Sequence, residues 1–238
     1  MENSIEKLRK IIEKSTNIVF FGGAGVSTES GIPDFRGKDG LYHLKYKYPP
    51  EEILGIDFFL NNTEEFYQFY KDKMNSLEYQ PSITHYKLTK LEQSGKLKAI
   101  ITQNIDGLHQ KAGSKNVYEL HGSIMRNYCM ECNHFYDAKH VFESRGVPKC
   151  KCGGIIKPDV VLYGENLDDH ILLNSIKKII NADTLIVGGT SLTVSPANTL
   201  IQYFRGDNLV LINQDETPFD HIANIVIHEK IGSVFDNL

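Results

Sequence analysis

The sequence predicts an α/β protein, a doubly wound parallel sheet interrupted by a smaller inserted module. Three observations lead there. Short apolar runs at 18–21, 98–102, 117–120, 184–187, 209–212 and 225–227 have the unalternating, β-branched character of strands covered on both faces. Helical segments separate several of them, and strand–helix alternation winds a parallel sheet with helices on both sides. The alternation breaks between Ser123 and Pro158, the stretch that holds all four cysteines. The sheet domain is therefore expected over 1–36, 77–123 and 159–238. A helical insertion at 37–76 and a module at 124–158 would form a small second domain.

Taken in order, residues 1–15 place Ile5, Leu8, Ile11 and Ile12 at helical spacing among charges. That is an amphipathic helix and not a signal peptide. After the first strand, Gly22-Gly23-Ala24-Gly25 removes side chains where the backbone must turn and a pyrophosphate approach closely. Ser27 and Thr28 are placed to cap a helix whose N-terminus suits an anion. Thr28 stands where the G-x-G-x-x-G fingerprint wants its third glycine, and no acidic strand end follows about twenty residues on. A plain glycine turn is thus the alternative for Gly23-Ala24-Gly25 taken alone. Gly31-Ile32-Pro33-Asp34-Phe35-Arg36 shifts the balance, because it sets an acid, an aromatic face and a guanidinium beside the turn.

Residues 37–62 read as loop, with Tyr42, Tyr46 and Tyr48 and an apolar cluster over 53–60. Thr63 is placed to cap a helix from 64 to 76, whose Phe66, Tyr67, Phe69 and Tyr70 read first as core. Pro81-Ser82 opens a helix to 94, with Leu88 and Leu91 inward and Gly95 as the stop. Further helices are expected over 168–180 and 196–204.

Composition narrows the classes. The chain has 238 residues, with 26 Lys+Arg against 30 Asp+Glu for a net charge of −4. No basic block predicts nucleic acid, and no apolar run is long enough for a membrane helix. Without a signal segment the expected compartment is the reducing cytoplasm, where cysteines serve as metal ligands more readily than as disulfides. Cys129-x2-Cys132 and Cys150-Lys151-Cys152 fit one tetrahedral zinc; two disulfides are the alternative pairing. The second pair is one residue short of the usual C-x2-C, so His134 or His140 are possible substitutes. Four thiolates close the site, which makes the metal structural.

The polar groups collect at strand ends. Gln103-Asn104-Ile105-Asp106 follows one strand and His121-Gly122 the next; Gly188-Gly189-Thr190-Ser191 and Asn213-Gln214 end two others. Ligands of open α/β sheets bind outside these carboxyl ends. His121 can take a proton near neutral pH, Asn104 can orient a ribose hydroxyl or a water, and Asp106 can hold a carboxamide.

Together, Gly23 to Ser27, Gly31 to Arg36, Thr102 to Asp106, His121-Gly122, the four cysteines and Gly189-Thr190-Ser191 resemble the sirtuin family of NAD-dependent protein lysine deacylases. The motifs run in the family's order from about residue 17 to 231. The resemblance implies a Rossmann-like sheet with an inserted zinc module, and NAD consumed as a co-substrate. An acyl-lysine oxygen would attack C1′ of the nicotinamide ribose, with loss of nicotinamide and formation of an alkylamidate. His121, as base, would activate a ribose hydroxyl, giving free lysine and 2′-O-acyl-ADP-ribose.

By the same resemblance, Ala24, Thr28 and Arg36 meet the phosphates and adjacent ribose, and Phe35 shields the reacting ribose. Gln103 and Asn104 contact that ribose, and Ile105 and Asp106 hold the carboxamide. Thr190, Ser191 and Asn213 bind the adenosine half, with Ile231 near the adenine. Val161, Tyr163 and Gly164 pair with an extended acyl-lysine peptide, opposite Val194. Family members that prefer acidic acyl groups carry Tyr and, three residues on, Arg; here these positions are Tyr67 and Tyr70. Burying a carboxylate without that guanidinium is costly, so neutral acyl groups are expected unless Lys71 or Lys73 compensates. Protein mono-ADP-ribosyl transfer is the alternative activity, and an NAD-sensing or nucleic-acid-binding module the non-enzymatic one. The chain is expected to act as a monomer.

Overall fold

The structure is a computed structural model and describes residues 2–34 and 47–238; Phe35, Arg36, Tyr42 and Tyr46 lie outside the described residues. Helix α1 (Glu2–Lys14) leads into β1 (Ile18–Gly22) and the single turn α2 (Gly25–Thr28). Then come α3 (Pro50–Ile53), α4 (Ile56–Asn61), α5 (Thr63–Lys73) and α6 (Ile83–Gln93). Strand β2 (Leu97–Thr102), α7 (Leu108–Lys111) and β3 (Val117–Glu119) follow. The inserted module holds β4 (Gly122–Cys129), β5 (Phe135–Asp137), α8 (Ala138–Glu143) and β6 (Ile156–Val160). The chain returns through α9 (Asp169–Ile180), β7 (Thr184–Gly188), β8 (Asn208–Ile212), β9 (Ile225–Ile227) and α10 (Ile231–Asp236).

The main sheet has the order β3-β2-β1-β7-β8-β9 with every pairing parallel. Strand β1 is central, and its residues alternate between two cores. Ile18 and Phe20 join Leu8, Leu88, Val234 and Phe235, from α1, α6 and α10. Val19 and Phe21 join Ile179 of α9 and Leu200. All four are fully buried, which explains the run of apolar residues without alternation. Each such side chain contributes about 1.5–3 kcal/mol of burial.

The module's sheet, order β5-β4-β6, is antiparallel and shares a third core with α3, α4 and α5. Ile53, Phe59, Phe66, Tyr67 and Tyr70 pack there with Ile124, Cys129, Val141 and Ile156. Neither segment has enough apolar surface to close a core alone, so the two insertions fold against each other.

Several local expectations change. Thr63 does not cap α5: its hydroxyl turns back to the Phe59 carbonyl at 2.7 Å, and Asn62 holds the cap position without a side-chain bond. The helix ends at Lys73 instead of 76. Ser27 and Thr28 lie inside α2 and not before it, so neither is its cap. The apolar cluster over 53–60 belongs to α3 and α4, and the segment expected as a helix at 196–204 is a 3-10 helix, Ala197–Tyr203. Ser82 does cap α6, sharing a reciprocal pair of bonds with His85.

Candidate active site

Strands β1 and β7 are neighbours whose following segments lead to opposite halves of the sheet, so the crevice of the fold opens between their carboxyl ends. The two turns touch. Gly25 N–H donates to the Gly189 carbonyl at 2.8 Å and Gly23 N–H to that of Gly188 at 3.3 Å. A Cβ on Gly25 would stand 2.7 Å from Gly189 Cα; one on Gly189, at φ +61°, would stand 2.6 Å from Val26 N. The glycines are required first by this backbone contact, with room for a phosphate as a second effect.

Above the turns lies a cleft of about 720 Å³. Ala24, Thr28, Thr190 and Ser191 line it at the crossing, and Gln103, Asn104, Ile105, Asp106 and His121 line it from the β2 and β3 side. Asn213 and Ile231 line it beyond β8, and Val161, Tyr163, Gly164 and Val194 line it as well. Every described residue expected from the sequence to act as base or to meet NAD or peptide thus borders one cavity; of the acyl-group positions Tyr70 and Lys73 border it, and Tyr67 and Lys71 do not.

A hydrogen-bond network fixes the β2 tip. The Ser27 hydroxyl donates to Asp106 Oδ2 at 2.7 Å and accepts from Asn104 Nδ2 at 3.0 Å. Leu108 N–H donates to Asp106 Oδ1 at 2.9 Å, and the Ser76 hydroxyl to the Asp106 carbonyl at 3.1 Å. Burial pushes the Asp106 carboxyl above its ordinary range, opposed by the Leu108 and Ser27 bonds. Ser27 is the member that sequence reasoning misplaced, as a cap. Thr190 donates to Gln103 Oε1 at 2.8 Å, while the buried Gln103 Nε2 has no protein partner among the described residues. An orphaned donor bordering the cleft suits an oxygen-rich ligand such as a ribose.

His121 Nδ1 lies 2.9 Å from the Gln103 carbonyl. A carbonyl only accepts, so Nδ1 carries the proton and Nε2 keeps its lone pair. Burial lowers the imidazole's pKa from the ordinary histidine value, partly offset by the Gln103 bond. The side chain is a neutral base near pH 7.

The opposite wall is not a continuous strand. β6 ends at Val160, and Gly164 sits at φ +91°. Tyr163 N–H donates to Leu54 O at 3.0 Å and its carbonyl accepts from Ile56 N–H at 2.9 Å. Val161 N–H donates to the His121 carbonyl at 3.0 Å. The Val161 carbonyl and Gly164 N–H remain without partners among the described residues.

In the module the four Sγ atoms lie within 4.8 Å of one another. Cys129–Cys152, Cys132–Cys152 and Cys132–Cys150 separations are 3.4, 3.5 and 3.6 Å. Sulfurs on ~2.3 Å zinc bonds in a tetrahedron are ~3.8 Å apart, so the donor set fits zinc; disulfides are absent from it. His134 and His140 are not in the cluster, and Cys152 takes the fourth place.

A profile described as Sir2 family matches residues 23–196. A protein of Clostridium acetobutylicum named NAD-dependent protein deacetylase is 58% identical over 240 residues, covering 99% of this chain and 98% of its own. One of the same name from Clostridium perfringens is 59% identical over 238 residues, covering 98% of each. The solved structure of a Sir2 protein with deacetylated p53 peptide and 3′-O-acetyl ADP ribose is 40% identical with a TM-score of 0.90. That match covers 98% of this chain and 96% of the other.

Proposed function

The chain belongs to the Sir2 family, and on that premise we propose that it is an NAD-dependent protein lysine deacylase. It moves the acyl group from lysine to ADP-ribose and releases nicotinamide. The observation that carries the reading is His121, oriented by the Gln103 carbonyl and sharing one cleft with Asn104, Asp106 and the glycine turn.

NAD, as co-substrate, supplies an electrophilic ribose carbon and nicotinamide as leaving group. His121 Nε2 takes the proton of a ribose hydroxyl, which burial favours by keeping the ring neutral. Asn104, held by Ser27, orients that ribose together with Gln103. Asp106 and Ile105 receive the carboxamide. Ala24, Thr28 and Arg36 serve the phosphates and Phe35 covers the reacting ribose. Thr190, Ser191, Asn213 and Ile231 hold the adenosine half. Val161, Tyr163 and Gly164, facing Val194, receive the peptide; the unpartnered Val161 carbonyl and Gly164 N–H support that role, while Tyr163 contributes its side chain.

The acyl group is neutral. The Tyr67 hydroxyl donates to the Ile156 carbonyl. Lys71 Nζ is occupied by Ser144 O, Ser144 Oγ and Gly146 O at 2.6, 2.8 and 2.6 Å, and Lys73 Nζ pairs with Asp72 at 2.9 Å. Neither lysine is left to balance an acidic acyl group.

Cys129, Cys132, Cys150 and Cys152 hold a structural zinc. Segments 1–36, 77–123 and 159–238 form the NAD-binding domain, and 37–76 with 124–158 form the small domain. The protein acts as a monomer in the cytoplasm on protein substrates; no helix among the described residues is long and apolar enough to cross a membrane.

Incubation with NAD and acetyl-, butyryl- and succinyl-lysine peptides, read by mass spectrometry, tests the reading. Free lysine and O-acyl-ADP-ribose are expected from the neutral peptides, with little turnover of the succinyl one. Nicotinamide release without acyl-peptide, with ADP-ribose attached to protein, would overturn it in favour of ADP-ribosyl transfer.

A further inference from the structure

The shortened pair Cys150-Lys151-Cys152 poses a problem of its own. Zinc thiolates carry excess negative charge and are steadied by hydrogen-bond donors around them. In this module the main-chain N–H groups of His134, Gly154 and Cys152 favour the charged forms of Cys132, Cys152 and Cys150 respectively. With a single residue between the two cysteines, the second turn has one backbone N–H fewer than a C-x2-C turn offers. At that place the Tyr136 hydroxyl lies 3.1 Å from Cys150 Sγ and donates to it.

The placement is built, not incidental. Tyr136 is the middle residue of β5 and pairs with Asn127 of β4. Asn127 Nδ2 also donates to the Tyr136 carbonyl at 3.3 Å. The ring is flanked by His140 and His134, with centroids 4.5 and 5.0 Å away. Lys151 N–H, from inside the shortened turn, donates to the Tyr136 oxygen at 3.4 Å, so the hydroxyl proton is directed at sulfur. Among the described residues Tyr136 is the one side chain besides the cysteines themselves that gives such a bond to the cluster.

We propose that Tyr136 is a positioning residue of the zinc centre, its hydroxyl standing in for the missing donor of the short turn and holding the Cys150 thiolate for the metal. The inference rests on the four-thiolate site and not on the deacylase reading. It is tested on zinc, so failure of one is distinguishable from failure of the other.

Tyr136→Phe removes one oxygen and keeps the ring. Zinc competition against a chromophoric chelator should show about 10–100-fold weaker retention in this variant than in the wild type. The cobalt(II)-substituted variant should show its thiolate-to-metal charge-transfer band at longer wavelength, because Cys150 no longer shares a lone pair with a proton. His140→Ala, which removes a neighbour of the ring and leaves the hydroxyl in place, should change neither reading. Equal zinc retention and an unmoved cobalt band in Tyr136→Phe would overturn the proposal. So would an equal loss in His140→Ala, which would assign the effect to packing of the ring.

Discussion

At the scale of single residues, the site depends on which atom of each side chain is already engaged. His121 has its Nδ1 proton fixed on the Gln103 carbonyl, and its burial favours the neutral ring. His121→Ala should keep NAD binding, measured by titration calorimetry, while deacylation falls by about 10²–10⁴-fold. Because the folded pKa is lowered, the base stays active as pH falls until below the ordinary histidine range. The acid limb of kcat/KM attributable to His121 should therefore lie below about pH 6.5, and a limb above that value would remove it as the base. The gathering of His121, Asn104 and Asp106 at one cleft was legible because polar residues at consecutive strand ends have few other reasons to be there. Ser27 was not. A hydroxyl after a glycine turn reads as a helix cap, yet its partner Asp106 lies 79 residues away, and local sequence does not reveal such a pairing.

Among the elements, α5 shows both what pattern reading reaches and where it stops. Its aromatic crowding correctly implied core, since Phe66, Tyr67, Phe69 and Tyr70 are all buried. What they are buried against was hidden, because the partner surface comes from the cysteine module more than fifty residues later. The Tyr70 hydroxyl is buried with no partner among the described residues, while its ring stacks on Phe66 and Phe142 with centroids 5.4 and 5.5 Å away. Leaving a hydroxyl desolvated and unpaired costs about 1–3 kcal/mol. Tyr70→Phe should thus be neutral or raise the melting temperature, measured by calorimetry with zinc present. A loss of more than about 1 kcal/mol would mean that the hydroxyl has a partner in solution.

For the molecule as a whole, six strands were readable from apolar runs, but their spatial order was not. That order depends on where each crossover returns, which the runs do not encode: 209–212 and 225–227 are as apolar as 18–21, yet β9 lies at the edge of the sheet and β1 inside it. Global stability should also carry the mark of a histidine pair under the sheet. The His85 and His109 rings meet at a tilt with centroids 4.6 Å apart, and three of their four ring nitrogens have no hydrogen-bond partner among the described residues. Burial lowers His85 to about 4 and His109 well below the ordinary value, the latter also through the charge of His85. The neutral forms are the folded ones, so stability is complete above about pH 6.5 and declines as pH falls toward 4. Each histidine adds a slope of up to about 1.4 kcal/mol per pH unit, visible as a lower urea midpoint at pH 5 than at pH 7. Equal midpoints would show that the pair is hydrated or already charged.

The meeting of Gly25 with Gly189 has one more consequence. Two main chains in direct contact leave no side chain through which a change at one could be accommodated at the other. Drift along a lineage can reshape the cleft lining around Val194 and Tyr163 without touching that contact. At the seam between the two halves of the sheet it has no neutral path, so diversification of such an enzyme must proceed from the mouth of its cavity and leave the floor as it was.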